Sequence, residues 1–303
     1  MNNDRPLLGI FCMLAFTALA PVMDASAKLA GEFHATGQIA VARYAVQGAI
    51  VVVLALMLGA KWDFTRRDWG LLLLRAVFTL GSTLTFVAAI RVMPLADALA
   101  IVFVEPFILM LMGWFFLGES VGPRRIIASG VGFLGALIVV RPGVMSFGFV
   151  ALLPLVTGFC FAAYMLVTRS LRRHPPLELQ AATSGLALIM SAPLLIVFEG
   201  SGTLFDASMP VGNSWVFLLG VGMIATVSHL FLTFALRIAP SATVAPLSYA
   251  EMAFATVIGL LVFGDFPEPT TWLGVALIIG SGLYVIHRER INARAELTVP
   301  RTS

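Results

Sequence analysis

The chain has 303 residues, 59% of them apolar and only 12% charged, whereas a soluble globule carries roughly 25% charged residues because its outside faces water. Much of this exterior therefore faces lipid. The formal charge of +3 comes from Lys and Arg in short clusters between long apolar runs, which excludes the continuous basic stripe of a nucleic-acid binder.

A bilayer core about 30 Å thick takes roughly 20 apolar residues to span as a helix. Runs of that length fall at 7–28, 37–58, 69–90, 96–117, 123–141, 148–168, 178–198, 214–236, 242–264 and 270–287. The expectation is an all-α membrane protein with ten transmembrane helices.

The first run follows Arg5 and ends at Ala25-Ser26-Ala27, as a secretory signal would. It is longer than a signal's apolar region and is expected to remain as the first helix. It carries Cys12, which like Cys160 in the sixth run has no CxxC spacing and reads as a packing residue. Asp24 and Lys28, four apart, are close enough to pair on one helix face. In the second run Arg43 is within reach of Asp24, or of a carboxylate on a solute.

Trp69 opens the third run and Trp215 the eighth, as interfacial anchors do. Arg75 is expected to snorkel to the headgroups. Asp97 opens the fourth run, where a carboxylate satisfies free N–H groups. Glu105 lies nine residues beyond Ala96, about 13 to 14 Å along the helix, and so at bilayer depth. Gly130, Gly132 and Gly135 in the fifth run, with Gly274, Gly280 and Gly282 in the tenth, allow close helix packing. His229 in the eighth run has no second His or Cys at ligand spacing, so it reads as a hydrogen-bonded packing histidine in preference to a proton relay or a metal ligand.

Ten crossings put both termini on one side. That face then holds fourteen Lys and Arg residues, including Arg66, Arg67, Arg124, Arg125, Arg172 and Arg173, against Lys28, Arg91 and Arg141 on the other. The bias predicts cytoplasmic termini. The longest loop of the opposite face, Glu199 to Asn213, has no Lys or Arg.

The chain also repeats itself. At a constant offset of 146, Trp69 meets Trp215, Arg91 meets Arg237, Pro94 meets Pro240, Phe103 meets Tyr249, Glu105 meets Glu251, Gly118 meets Gly264 and Pro123 meets Pro269. These are among the scarcer residue types of an apolar chain, so chance is a poor explanation. A unit of five helices crosses an odd number of times, so its second copy enters upside down. This predicts a 5+5 inverted repeat, residues 1–143 and 144–290, followed by a tail at 291–303. Inverted repeats are an architecture of secondary transporters with a site near the midplane.

The doubled segments, Pro94 to Pro142 with Gly118-Glu119 and Val140-Arg141-Pro142, and Pro240 to Ile286 with Gly264-Asp265, resemble the EamA repeat of the drug/metabolite transporter superfamily. Arg43-Tyr44 looks like that family's Arg-aromatic pair. The resemblance implies a carrier with a central cavity that moves metabolites such as amino acids, nucleotides or vitamins. Pro106 matches a proline of the family's fourth helix, while Met252 replaces it in the ninth, where Pro246 supplies a bend six residues earlier. Both prolines are candidate gating positions.

A charge at bilayer depth costs about 2.5–3.5 kcal/mol on insertion scales and usually faces a partner or a wet cavity. Glu105 and Glu251 are therefore expected on either side of the midplane, to bind a cationic group or a coupling proton, or else to bond a neighbouring helix. Phe103 and Tyr249 beside them suit a cationic or planar solute. No GxxxxGK[ST] loop is present, so nucleotide does not power the chain, and no nucleophile–base pair suggests an enzyme. The expected function is carriage of a small zwitterionic or cationic metabolite, by proton coupling or exchange. The alternatives are a planar vitamin or nucleoside-type solute such as riboflavin or S-adenosylmethionine and, in a different class, an intramembrane enzyme or a passive channel. The expected setting is a bacterial inner membrane, with lipid and a small solute as partners, no nucleic acid, a homodimer left open, and neither cofactor nor metal.

Overall fold

Apolar runs of this length leave backbone polar groups no partner in lipid except their own helix. The computed structural model describes residues 6–117, 127, 130–135, 137–138, 145–238 and 245–298, and among them it is helical with no strand. Among the described residues six stretches are long and apolar enough to cross a bilayer: Leu7–Ala30, Thr36–Met57, Arg66–Ile90, Met145–Ser170, Pro176–Val197 and Ser214–Ile238. Leu247–Phe263 and Pro269–Ser281 are shorter apolar helices. In chain order the α-helices are α1 (Pro6–Ala30), α2 (Thr36–Met57), α3 (Arg66–Ile90), α4 (Leu95–Val102), α5 (Glu105–Leu117), α6 (Leu153–Ser170), α7 (Pro176–Val197), α8 (Ser214–Ile238), α9 (Ala250–Ile258) and α10 (Pro269–Thr298).

Local chemistry sets several of these ends. Thr65 and Asp68 form a reciprocal capping box at the start of α3. Pro176 opens α7, where its missing N–H costs nothing. Asp68 also accepts from Arg173 at 2.6 Å, which ties the start of α3 to the turn between α6 and α7.

The run expected as one helix over 96–117 is broken. α4 stops at Val102, Phe103 and Val104 form a turn, and α5 starts at Glu105. The cause is Pro106, which lacks an N–H and whose ring crowds the carbonyl four residues earlier, that of Val102. The run expected at 242–264 is also not one α-helix. Its described part has a 3-10 turn at Ala245–Tyr249, then α9, then a π-helical turn at Gly259–Phe263. Gly264 ends it at φ 71°, a left-handed conformation that glycine adopts without strain.

The run at 123–141 lies largely outside the described residues. Where it is described, Gly135 approaches α10 so closely that an added Cβ would lie 2.8 Å from the Gly274 carbonyl oxygen. Gly132 lies against the ring of Phe107. At Gly130 and Gly280 an added Cβ would meet nothing within 4 Å among the described residues, so no close packing is seen there.

α1 packs most extensively on α8, α3 on α6, and α2 on α7 and α8. α4 and α5 pack on α6, and α1 also meets α9. Gly222 makes the α2–α8 contact close, since a Cβ there would stand 2.4 Å from Cβ of Val46. The 199–213 loop folds back over the α1–α2 turn, where the buried His34 ring lies between Ser208 Oγ at 3.2 Å and Ser214 Oγ at 3.1 Å. Burial holds His34 below the ordinary imidazole value, against a smaller opposing effect of Gln38.

Candidate functional site

A cavity of about 170 Å³ lies among α1, α2, α3, the α4–α5 break, α6, α8 and α9. Asp24, Arg43, Phe103, Glu105, Pro106, His229 and Glu251 all line it. Residues from five separate stretches of sequence thus meet at one place. Tyr249 joins them through its ring, which stands edge-on to Phe103 at 5.7 Å between centroids. Pro246 lies in the 3-10 turn that carries Tyr249.

The broken helices place the carboxylates. Glu105 is the first residue of α5 and Glu251 the second of α9. A carboxylate is favoured at a helix N-terminus, where unpaired N–H groups and the helix dipole are both positive. Non-helical backbone at membrane depth is tolerated only where it is buried or lines a cavity, and Phe103–Val104 meets both conditions. Gly158 of α6 supports the break: a Cβ there would lie 3.1 Å from the Val102 carbonyl oxygen and 3.3 Å from Val104 Cγ1.

Arg43, 5% exposed, donates to Thr83 Oγ1 at 2.8 Å and contacts His229 Nε2. His229 is equally buried and stacks on Phe16 at 6.0 Å. It is a buried, hydrogen-bonded residue of the cavity wall. Among the described residues no His, Cys, Asp and Glu are grouped so as to hold a metal ion. The remaining lining is mostly apolar, with rings from Phe16, Phe86 and Phe161 and hydroxyls from Thr79, Thr83 and Thr157. Few polar groups in an apolar, ring-bearing wall make a site that orients a small organic molecule.

Three local expectations are corrected. Lys28 does not pair with Asp24; it bonds Asp265 at 3.0 Å and the Met93 carbonyl at 3.1 Å, and lies over the Phe263 ring at 4.6 Å. A Lys in the last turn of a helix reaches past its end, and here three groups from two other segments are waiting. Arg75 does not snorkel. It is fully buried and donates to Thr168, Thr183, Tyr164, Gln180 and the Leu179 carbonyl. Asp97 is not a cap: Pro94 occupies that position without a side-chain bond, and Asp97 accepts from Thr271 at 2.8 Å.

Sequence reasoning named Tyr44 only as the aromatic beside Arg43 and missed Thr79 and Thr83; the three hold the Arg43 side of the cavity. One signal was available. Arg75, Thr79 and Thr83 recur every four residues in an apolar helix and so form a polar stripe along one face.

The model of the EamA-like transporter family matches residues 7–141 and again 148–287. A riboflavin transporter of Vibrio cholerae is 28% identical over 303 residues, covering 98% of this chain and 99% of that protein. A riboflavin transporter of Rhizobium johnstonii is 31% identical over 217 residues, covering 72% of this chain and 70% of that one. A solved crystal structure shares the fold with a TM-score of 0.66 at 19% identity, covering 93% of this chain and 97% of its own.

Proposed function

The chain belongs to the EamA-like transporter family, a family of multi-pass membrane transporters and not of enzymes, and from that premise we propose that it is a secondary carrier for a planar metabolite of the riboflavin kind. The observation that carries the substrate is the similarity to a riboflavin transporter along nearly the whole of both chains. The cavity supports it: Phe16, Phe86, Phe103 and Phe161 offer ring faces, while Asp24, Glu105, Glu251, Arg43 and His229 supply acceptors and donors for a sugar-like chain and a heteroaromatic edge.

Alternating access requires two units that move against each other. We take these as residues 1–143 and 144–290, ten helices in a 5+5 inverted repeat, with a cytoplasmic tail at 291–303 and both termini inside a bacterial inner membrane. The double match of one family model and the offset of 146 support this. So does the packing. The α1–α8 and α3–α6 contacts exchange under a two-fold that swaps the copies, and α2–α7 lies on its axis. Pro106 and the turn containing Pro246 are the bends about which the copies reshape the cavity. Gly135 and Gly274 meet within one chain, so their close packing joins the two halves and gives no support to a homodimer.

Three carboxylates on one cavity also suit a cationic or zwitterionic solute such as S-adenosylmethionine or an amino acid. Counterflow in proteoliposomes separates these readings. Unlabelled riboflavin on the far side should accelerate entry of labelled riboflavin, and S-adenosylmethionine or amino acids should not. Acceleration by those solutes and not by riboflavin would reverse the assignment, and uptake indifferent to any trans solute would indicate a pore.

A further inference from the structure

The turns that precede α2 and α7 are built alike. At an offset of 140, shorter than the 146 of the later helices, His34 meets His174 and Gln38 meets Glu178. Each turn therefore carries a histidine and, four residues on, a side-chain oxygen that can accept. Each is seated on the other family-matched segment. His34 lies 3.2 Å from Ser208 Oγ and 3.1 Å from Ser214 Oγ, and Gln38 Oε1 accepts from the Ser208 N–H at 3.0 Å. His174 Nε2 lies 3.4 Å from Asp68 Oδ2, and Glu178 Oε1 accepts from the Lys61 N–H at 3.2 Å. Asp68 and Ser214 are themselves 146 apart. One kind of contact is thus made twice, with the two segments exchanging roles.

Further contacts fasten each junction. At the first, the Gly37 N–H, one of the donors that the first turn of a helix leaves unpaired, bonds the Leu204 carbonyl at 2.6 Å, and the Phe205 ring packs on Gly37 with no room for a Cβ. At the second, Arg173 donates to Asp68 Oδ1 at 2.6 Å and the His174 ring lies 4.8 Å from that of Phe64. The junctions stand at opposite ends of both α2 and α7. The α1–α2 turn precedes α2 and the 58–65 loop follows it, while the α6–α7 turn precedes α7 and the 199–213 loop follows it.

In a carrier of inverted repeats, switching access exchanges the conformations of the two copies, so a gate made at one end has its equivalent parted at the other. These two equivalents are made together. Among the described residues that line the cavity there is none from either junction, nor any neighbour of one in sequence, whereas Ala27 beside Lys28 does line it. The Lys28–Asp265 pair also differs in having no equal. The same offsets put Thr168 and Glu119 in its place, and Thr168 gives its hydroxyl to the Tyr164 carbonyl and accepts from Arg75. We propose that the two junctions are paired pivots, which persist in both orientations while the copies turn between them and the cavity opens elsewhere. The proposal rests on the alternating-access reading and adds to it which contacts stay fixed.

The test locks each junction by itself. Gln38→Cys with Ser208→Cys, and separately Lys61→Cys with Glu178→Cys, are introduced into the full-length protein in proteoliposomes and treated with a short bifunctional methanethiosulfonate that reduction removes. Complete linkage is verified by mass, and treated wild type controls for Cys12 and Cys160. Each variant before linkage is its own reference; where a pair of substitutions alone stops exchange, His34→Cys with Ser208→Cys or Phe64→Cys with His174→Cys links the same junction. Riboflavin counterflow should stay within about twofold of the unlinked variant at both junctions, because no moving contact has been tied. A link at either junction that stops counterflow until it is reduced makes that junction a gate and overturns the proposal, while the carrier reading stands. Absence of riboflavin counterflow in untreated wild type would overturn both.

Discussion

At the scale of single residues, Arg75 shows how a full charge is kept inside an apolar bundle. Its guanidinium has five N–H groups, and five hydrogen bonds leave it for Thr168, Leu179, Thr183, Tyr164 and Gln180, with the Tyr164 ring 4.6 Å from its centre. Arg75→Lys keeps the charge but supplies three donors from one point. It leaves acceptors on α6 and α7 unmet, and should cost about 2–4 kcal/mol. Thermal unfolding in detergent, followed by tryptophan fluorescence, should show the midpoint fall by several degrees; an unchanged midpoint would mean that the knot contributes nothing. The sequence located Asp24, Arg43, Glu105, His229 and Glu251 because the cost of burying a polar group depends on the residue and its depth, both of which can be read along the chain. It misjudged Arg75 and Lys28 because their partners, Thr183 and Gln180 in one case and Asp265 in the other, lie 105 or more positions away. Lateral register between helices leaves no mark on hydropathy.

At the scale of elements, the deciding feature is the interruption at Phe103–Val104. The run around it is apolar throughout, so hydropathy reads a single helix, and only the position of Pro106 relative to Val102 reveals where that helix must stop. The second interruption was harder to anticipate, because Met252 stands where the first copy has its proline. The first break is held from outside by Gly158, whose backbone lies close to the Val102 carbonyl and Val104. In Gly158→Val the two γ-methyls have nowhere to go but against that turn, a clash worth about 1–3 kcal/mol. Glu105 then shifts with the start of α5. The expected result is a counterflow rate at least about tenfold below wild type from protein that still elutes as a single folded peak. A wild-type rate would show that the cavity does not depend on this support.

At the scale of the whole molecule, the proposed 5+5 inverted repeat rests on the offset of 146 and the loop charges more than on any single motif, because both sum evidence over many residues. Neither says how the two proposed halves are fastened. Lys28 lies one turn beyond Asp24 on α1 and clamps Met93, Phe263 and Asp265, so residues of both family-matched segments meet at that end of the cavity. On the proposed alternating-access cycle this clamp has to open. With Lys28→Cys and Asp265→Cys combined, oxidation to a disulfide should abolish counterflow and reduction should restore it. Unchanged counterflow after oxidation, with the cross-link verified by mass, would mean that this end stays shut throughout the cycle.

Pro106 has no counterpart at position 252, and this inequality bears on energetics as well as shape. Each segment has a missing N–H at its interruption, but at a different place: Pro106 stands one residue after its carboxylate, whereas Pro246, in the 3-10 turn before α9, stands five residues ahead of Glu251. On the alternating-access reading proposed above, the two orientations of an empty carrier built from such unequal segments do not have equal free energy. A gap of about 1.4 kcal/mol is enough to populate one tenfold over the other. The unloaded molecule then waits facing mainly one compartment, and the solute concentration that half-saturates it differs between the two faces. On that reading the side on which the carrier rests follows from where each segment places its proline.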